Sequence, residues 1–250
     1  MPHRYAHDHP KETRPTAKTP PRIADRQHIG IELHHDHEIK QKEEFMKIGF
    51  IGVGNMGNPM ALNLIKGGHS VQVHDINKDA AQNLLENGAV WVDSPKSAAN
   101  GVEAVYLSLP MPKHVEEVIL SDNGVLNGLA QGKTVVDMST NSPTIVKDLA
   151  NQANDRQIHF LDAPVSGGVR GARKGTLAIM VGGNESVFQS CRPAFDCMGS
   201  NVFHVGEVGA GNVAKLVNNM LAFIHMMGEA EALVLGAKAG VDPNALWKIA

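Results

Sequence analysis

Between Gly52 and Asp75 stand residues whose types and spacing suit phosphate and ribose chemistry. Gly52, Gly54 and Gly57 are spaced G-x-G-x-x-G, with Asn55 and Met56 enclosed by the last two. In such a turn the first glycine permits a tight reversal and the second lets backbone approach a pyrophosphate. The third lets a helix lie close on a strand. A helix starting there offers unpaired N–H groups and the positive end of its dipole to phosphates. Asp75 follows about 20 residues on, where a carboxylate accepts hydrogen bonds from an adenosine ribose. It would repel a 2′-phosphate, so the pattern predicts NAD over NADP. Without its context the glycine spacing would also fit ordinary turns.

Two further groups invite chemistry. Ser166-Gly167-Gly168 joins a hydroxyl to consecutive backbone N–H groups, a nest suited to a carboxylate, although by itself the stretch fits a flexible connection better. Lys215 and Asn219 follow Gly209 and Gly211, and their spacing of four puts them on one helix face. A lysine beside a crevice can give or take a proton, and an amide one turn on can orient it or the substrate. Standing alone, a solvated helix lysine is the simpler reading. Met220, Met226 and Met227 read as core or interface packing.

The elements that must position these residues alternate from Met46 onward. Ile48 to Val53 is a buried apolar strand, Met56 to Lys66 a helix stopped by Gly67-Gly68, and Ser70 to His74 a second strand. Strands follow at Ala89 to Val92, Glu103 to Leu109, Lys133 to Met138, Ile158 to Leu161, Leu177 to Val181 and Asn201 to Val205. Helices are expected over Ala80 to Glu86, over Val115 to Leu120, from Pro143, and over Glu185 to Phe195. This alternation predicts an α/β fold: a doubly wound, Rossmann-type parallel sheet covered on both faces. Ligands of such sheets bind beyond the carboxyl ends of the strands. That places Gly52–Gly57, Asp75, Leu109-Pro110 and Ser139-Thr140 along one crevice. Asp162 to Gly175 is glycine-rich and without period. Asn212 to Ala239 then forms one long helical pattern, and Asp242-Pro243 opens another, so an all-α domain starts here.

The chain has 250 residues and a net charge of −3, which gives no reason to expect a nucleic-acid partner. No apolar run is long enough to span a bilayer, so no membrane partner is expected. Cys191 and Cys197 match no common metal spacing and suit a reducing, cytoplasmic compartment. Residues 1–45 hold seven of the thirteen histidines and lack apolar periodicity, which predicts disorder. His34, His35, Asp36 and His37 could catch a transition metal, but a solvated tail is the simpler reading, and no metal site is expected. Met46, directly before the first strand, is the expected start of the folded protein. Three parts result: the 1–45 extension, a dinucleotide domain over 46–208, and the first part of a helical domain over 209–250.

GFIGVGNMGNPMALNL, DAPVSGGVRGARKGTLAIMVGG and GAGNVAKLVNN resemble the three signature stretches of the β-hydroxyacid dehydrogenases, within which 3-hydroxyisobutyrate dehydrogenases and tartronate semialdehyde reductases are most similar. The resemblance implies that the first stretch binds the dinucleotide through Gly52, Gly54, Asn55, Met56 and Gly57. Further cofactor contacts would fall on Asp75, Leu109, Pro110 and Thr140. Ser166, Gly167 and Gly168 would hold the substrate carboxylate, and Lys215 would be the catalytic acid/base with Asn219 as its helper. The implied reaction is hydride transfer between NAD and a small 3-hydroxy acid. An NADPH-linked semialdehyde or glyoxylate reductase and a non-catalytic, dinucleotide-binding fragment are the alternatives. The family's helical domain normally continues for several helices, so the chain reads as C-terminally truncated and a homo-oligomer is expected of the full-length form. The first 45 residues have no counterpart in the family core.

Overall fold

The structure, a computed structural model, describes residues 45–249. The readings of the histidine-rich extension before Phe45 fall outside the described residues.

Strand β1 (Lys47–Ile51) shows why its apolar run is unbroken. Successive side chains point to opposite faces; Ile48 and Phe50 enter one core and Ile51 the other. In β4 (Ala104–Leu107), Ala104 and Tyr106 join the first core while Val105 and Leu107 join the second. A strand covered on both faces has no polar side to show. On the first face lie α1 (Gly57–Lys66), the short α2 (Gln82–Glu86) and α7 (Glu185–Met198). There the rings of Phe50 and Tyr106 stack 6.5 Å apart, and Phe195 meets Tyr106 edge-on at 5.9 Å. The second face is covered by α3 (Pro95–Ala99), α4 (Pro112–Leu120) and α5 (Pro143–Asn154). Each of these three opens on proline, where the missing N–H has no helical partner to lose.

The remaining strands are β2 (Ser70–His74), β3 (Val90–Trp91), β5 (Thr134–Asp137), β6 (His159–Asp162), β7 (Val165–Ser166), β8 (Leu177–Gly182) and β9 (Gly199–Gly206). Their order is β3-β2-β1-β4-β5-β6-β8-β7, with β9 also paired to β8. All pairs among β1 to β6 are parallel. The chain reverses its direction of travel across the sheet between β1 and β4, and a crevice opens at that point, as in other doubly wound folds.

The sheet departs from the parallel expectation at its far side. Strand β8 runs antiparallel to β6 and β7, and β9 then returns parallel to β8. The link Gly167 to Thr176 is shorter than the dozen or so residues that a parallel crossover needs. The glycine-rich stretch is also ordered: it holds β7 and the helix α6 (Gly168–Lys174). Asn63 of α1 donates to the Ala172 carbonyl at 2.7 Å, which ties α6 to the dinucleotide half. A two-residue strand and a seven-residue helix containing two glycines are too short to show a period.

Helix α8 (Ala210–Lys238) buries only Gly211 and Asn212, both in its first turn. Farther along, Met220, Met226 and Met227 are 59%, 58% and 62% exposed, so they pack into no core among the described residues. The helix α9 (Pro243–Ile249) sets Leu246 against Gly236 near the far end of α8. By length and a mean hydropathy of 1.4, α8 is apolar enough to cross a membrane, and none of its apolar stretch is buried. This corrects the expectation that no segment could do so. Lys215, Asn218, Asn219, Glu229 and Glu231 interrupt the apolar run, so a search for unbroken stretches passes over it.

Candidate active site

The crevice between β1 and β4 holds a cavity of about 980 Å³. Helix α1 points its first turn there. That turn has no side-chain cap and no acidic residue, so its N–H groups and positive dipole end remain available to an anion. A Cβ on Gly57 would collide with the Gly52 carbonyl and press on the Phe50 ring at 3.0 Å, whereas one on Gly54 would meet nothing within 4 Å. The third glycine thus sets the helix-to-strand distance, and the second leaves open space above the turn. Both features fit a dinucleotide pyrophosphate.

Gly52, Gly54, Asn55, Met56, Gly57 and Asp75 all line this cavity. Asp75 has a second task that sequence reasoning missed. Its Oδ2 accepts the Val53 N–H at 2.8 Å and its Oδ1 accepts the Asn77 N–H at 2.9 Å. The carboxylate therefore fastens the glycine turn to the end of β2. Leu109 and Pro110 after β4 and Thr140 after β5 also line the cavity. Ser139, expected along the crevice with Thr140, lines it too; its Oγ accepts the Leu109 N–H at 2.9 Å and joins these two loops.

Under the second loop Asp137 is fully buried, and burial pushes its carboxyl up to about 6. Hydrogen bonds from Ser139 and Asn141 oppose that shift, and the nearby Asp162 charge adds to it. A raised folded-state value means that the Asp137 proton stabilises the fold. That contribution is complete below the ordinary 3.8 and is lost as pH rises through about 6. Its full size is about 3 kcal/mol by linkage. In Asp137→Asn the slope disappears. Urea unfolding should show the variant gaining on the wild type by that order between about pH 4 and pH 7.

Ser166, Gly167, Gly168 and Lys215 also line the cavity. Lys215 is half-buried, and desolvation holds its ammonium below the ordinary lysine range. Asn219 does not line the cavity. Instead the structure joins Asn218 to Ser166, the amide donating to Oγ at 3.3 Å. Asn218 is three residues from Lys215 and belongs to the same helical face by the spacing rule that picked out Asn219. The sequence held a signal for both. The site as a whole can hold a dinucleotide along the glycine turn, and it sets a hydroxyl and a half-buried lysine in the same cavity.

A doubly wound sheet with this turn, carboxylate and lysine defines an NAD(P)-binding oxidoreductase domain. The model of the NAD binding domain of 6-phosphogluconate dehydrogenase matches residues 47–206. That of the NAD-binding domain of NADP-dependent 3-hydroxyisobutyrate dehydrogenase matches residues 209–250. The chain is 47% identical over 202 residues to 3-hydroxyisobutyrate dehydrogenase of Pseudomonas aeruginosa, covering 81% of this chain and 68% of that one. It is 44% identical to the mitochondrial 3-hydroxyisobutyrate dehydrogenase of Bos taurus, of which it spans 60%. A solved structure of the Mycobacterium tuberculosis 3-hydroxyisobutyrate dehydrogenase with L-serine superposes with a TM-score of 0.77 at 36% identity, over 82% of this chain and 69% of that one. The chain belongs to the 3-hydroxyisobutyrate dehydrogenase family of β-hydroxyacid dehydrogenases.

Proposed function

We propose that the chain transfers a hydride between NAD and the hydroxyl-bearing carbon of a small 3-hydroxy acid of the 3-hydroxyisobutyrate type. The observation that carries this reading is the half-buried Lys215 in the same cavity as the glycine turn and Ser166–Gly168. A nicotinamide cofactor held along the glycine turn and Asp75 would supply the hydride acceptor for the alcohol carbon. The Ser166 hydroxyl and the Gly167 and Gly168 backbone anchor the substrate carboxylate and so decide which carbon faces it. Lys215 Nζ takes the hydroxyl proton during oxidation and returns it during reduction. For the first role it must be neutral, which its burial favours. Asn218 fixes the Ser166 hydroxyl, and Asn219 one residue on helps hold Lys215 or the substrate. The experiment is the rate of NAD reduction by the full chain with 3-hydroxyisobutyrate, L-serine and other 3-hydroxy acids. Absence of any Lys215-dependent rate would refute the reading.

The cofactor is proposed to be NAD, since Asp75 would face the 2′-phosphate of NADP. NADH should bind at least about tenfold tighter than NADPH. Asp75→Ala is expected to weaken NADH without conferring NADPH affinity, because the Val53 and Asn77 N–H groups lose their acceptor. Calorimetric titration of both nucleotides checks this, and a clean switch to NADPH would contradict it.

A second reading has its own support. The chain spans 60% of its bovine relative, and beyond Asn212 most of α8 is exposed. A domain that binds dinucleotide without turning over hydroxy acids by itself fits these facts. NADH binding with no turnover would favour it.

A further inference from the structure

Asp162 is fully buried at the end of β6, yet it does not line the cavity. Its carboxylate holds the start of α8 instead. Oδ1 accepts the Gly209 N–H at 2.7 Å, and Oδ2 accepts the Asn212 N–H at 2.7 Å and the Asn212 side-chain amide at 3.3 Å. The surroundings leave room for nothing else. A Cβ on Gly211 would press on Oδ2 at 2.9 Å, and one on Gly182 would strike Oδ1. From Asn212 the hydrogen bonds continue. Its Oδ1 accepts the Asn141 N–H at 2.7 Å, and the Asn141 side chain donates to Asp137 Oδ2 at 3.2 Å. Asp137 Oδ1 accepts the Ser139 N–H at 3.0 Å, and Ser139 Oγ accepts the Leu109 N–H at 2.9 Å. One connected path thus runs from the first turn of α8, across the ends of β6 and β5, to the loop after β4. Lys215 stands three residues beyond Asn212.

We infer that Asp162 is a positioning residue for Lys215, setting the placement of α8 against the cavity wall through Gly209, Asn212 and Asn141. A buried carboxylate is costly unless its oxygens are engaged, and here they take short charge-assisted bonds at a helix N-terminus. Beyond its first turn α8 buries no residue, so the bonds at its start, together with the Asn218–Ser166 hydrogen bond farther along, fix how the helix is rotated. Around the cluster, Lys147 of α5 lies beside Gly209, and Asp137 adds its repulsion from β5. The inference deepens the acid/base reading of Lys215 and rests on it.

The test uses the 250-residue chain with Asp162→Asn and Asn212→Ala. In the first, the amide keeps one acceptor and turns a donor toward the other N–H. The second cuts the bridge to Asn141 and leaves both backbone bonds to Asp162 in place. Lys215 is titrated by NMR of ε-carbon-labelled lysine, assigned with Lys215→Ala. Amide hydrogen exchange over residues 209–216 and NADH affinity are measured alongside. Both variants should hold NADH within about threefold. Exchange in the first turn of α8 should quicken by at least about tenfold. The Lys215 midpoint should move up toward the ordinary lysine value as the side chain leaves its half-buried place. Mere removal of a negative charge would move it down. A midpoint that is unmoved or lowered in folded variants overturns the inference. Failure of both variants to fold does so too, since the cluster would then hold the fold and not the lysine. If Lys215→Ala keeps full turnover, the acid/base reading fails while exchange and titration still decide the positioning.

Discussion

Replacing Lys215 with alanine is expected to lower NAD reduction by about 10²- to 10⁴-fold, the range that a positioned acid/base contributes. The same variant keeps its NADH affinity within about threefold. The two readouts separate because the glycine turn and Asp75 belong to β1, α1 and β2, whereas Lys215 belongs to α8. The pH profile adds a sign. In the oxidation direction the wild-type rate is expected to rise as the Lys215 ammonium loses its proton, below the ordinary lysine range because the group is half-buried. In the reduction direction the dependence is opposite. Steady-state rates across pH together with NADH fluorescence titration check both. Parallel loss of turnover and NADH binding would make Lys215 a structural residue.

Replacing Gly57 with alanine has the largest expected effect on stability. The added Cβ collides with the Gly52 carbonyl and reaches the Phe50 ring at 3.0 Å. Backbone cannot turn aside as a side chain can, so α1 must lift from β1. The cost is about 3 kcal/mol or more. Because α1 directs its uncapped first turn at the cavity, NADH affinity should fall at least about tenfold with it. Urea unfolding and NADH titration measure the two losses. Gly54→Ala is the control: its Cβ meets nothing within 4 Å, so it should leave stability nearly unchanged while crowding the bound pyrophosphate. Wild-type stability in Gly57→Ala would refute the packing account.

Local pattern carried much of the fold. Apolar runs such as Ile48 to Val53 and the proline-opened helices mark elements whose cause lies within a few residues, and the doubly wound class follows from their alternation. The glycine turn was legible for the same reason, since each glycine answers a steric demand of its own short turn. Ser166–Gly168 and Lys215 were named from residue chemistry sharpened by a family resemblance, and their presence in one cavity is a tertiary fact. Tertiary structure alone decided three matters. The stretch Asp162 to Gly175 became β7 and α6, elements too short to show a period. The sheet turned antiparallel between β7 and β8 because the link that joins them is too short to cross over. Asp162, Asn212 and the pair Asn141 and Asp137 lie far apart along the chain, and folding buries them together. Their hydrogen bonds join positions up to 71 residues apart, a distance over which no sequence period operates.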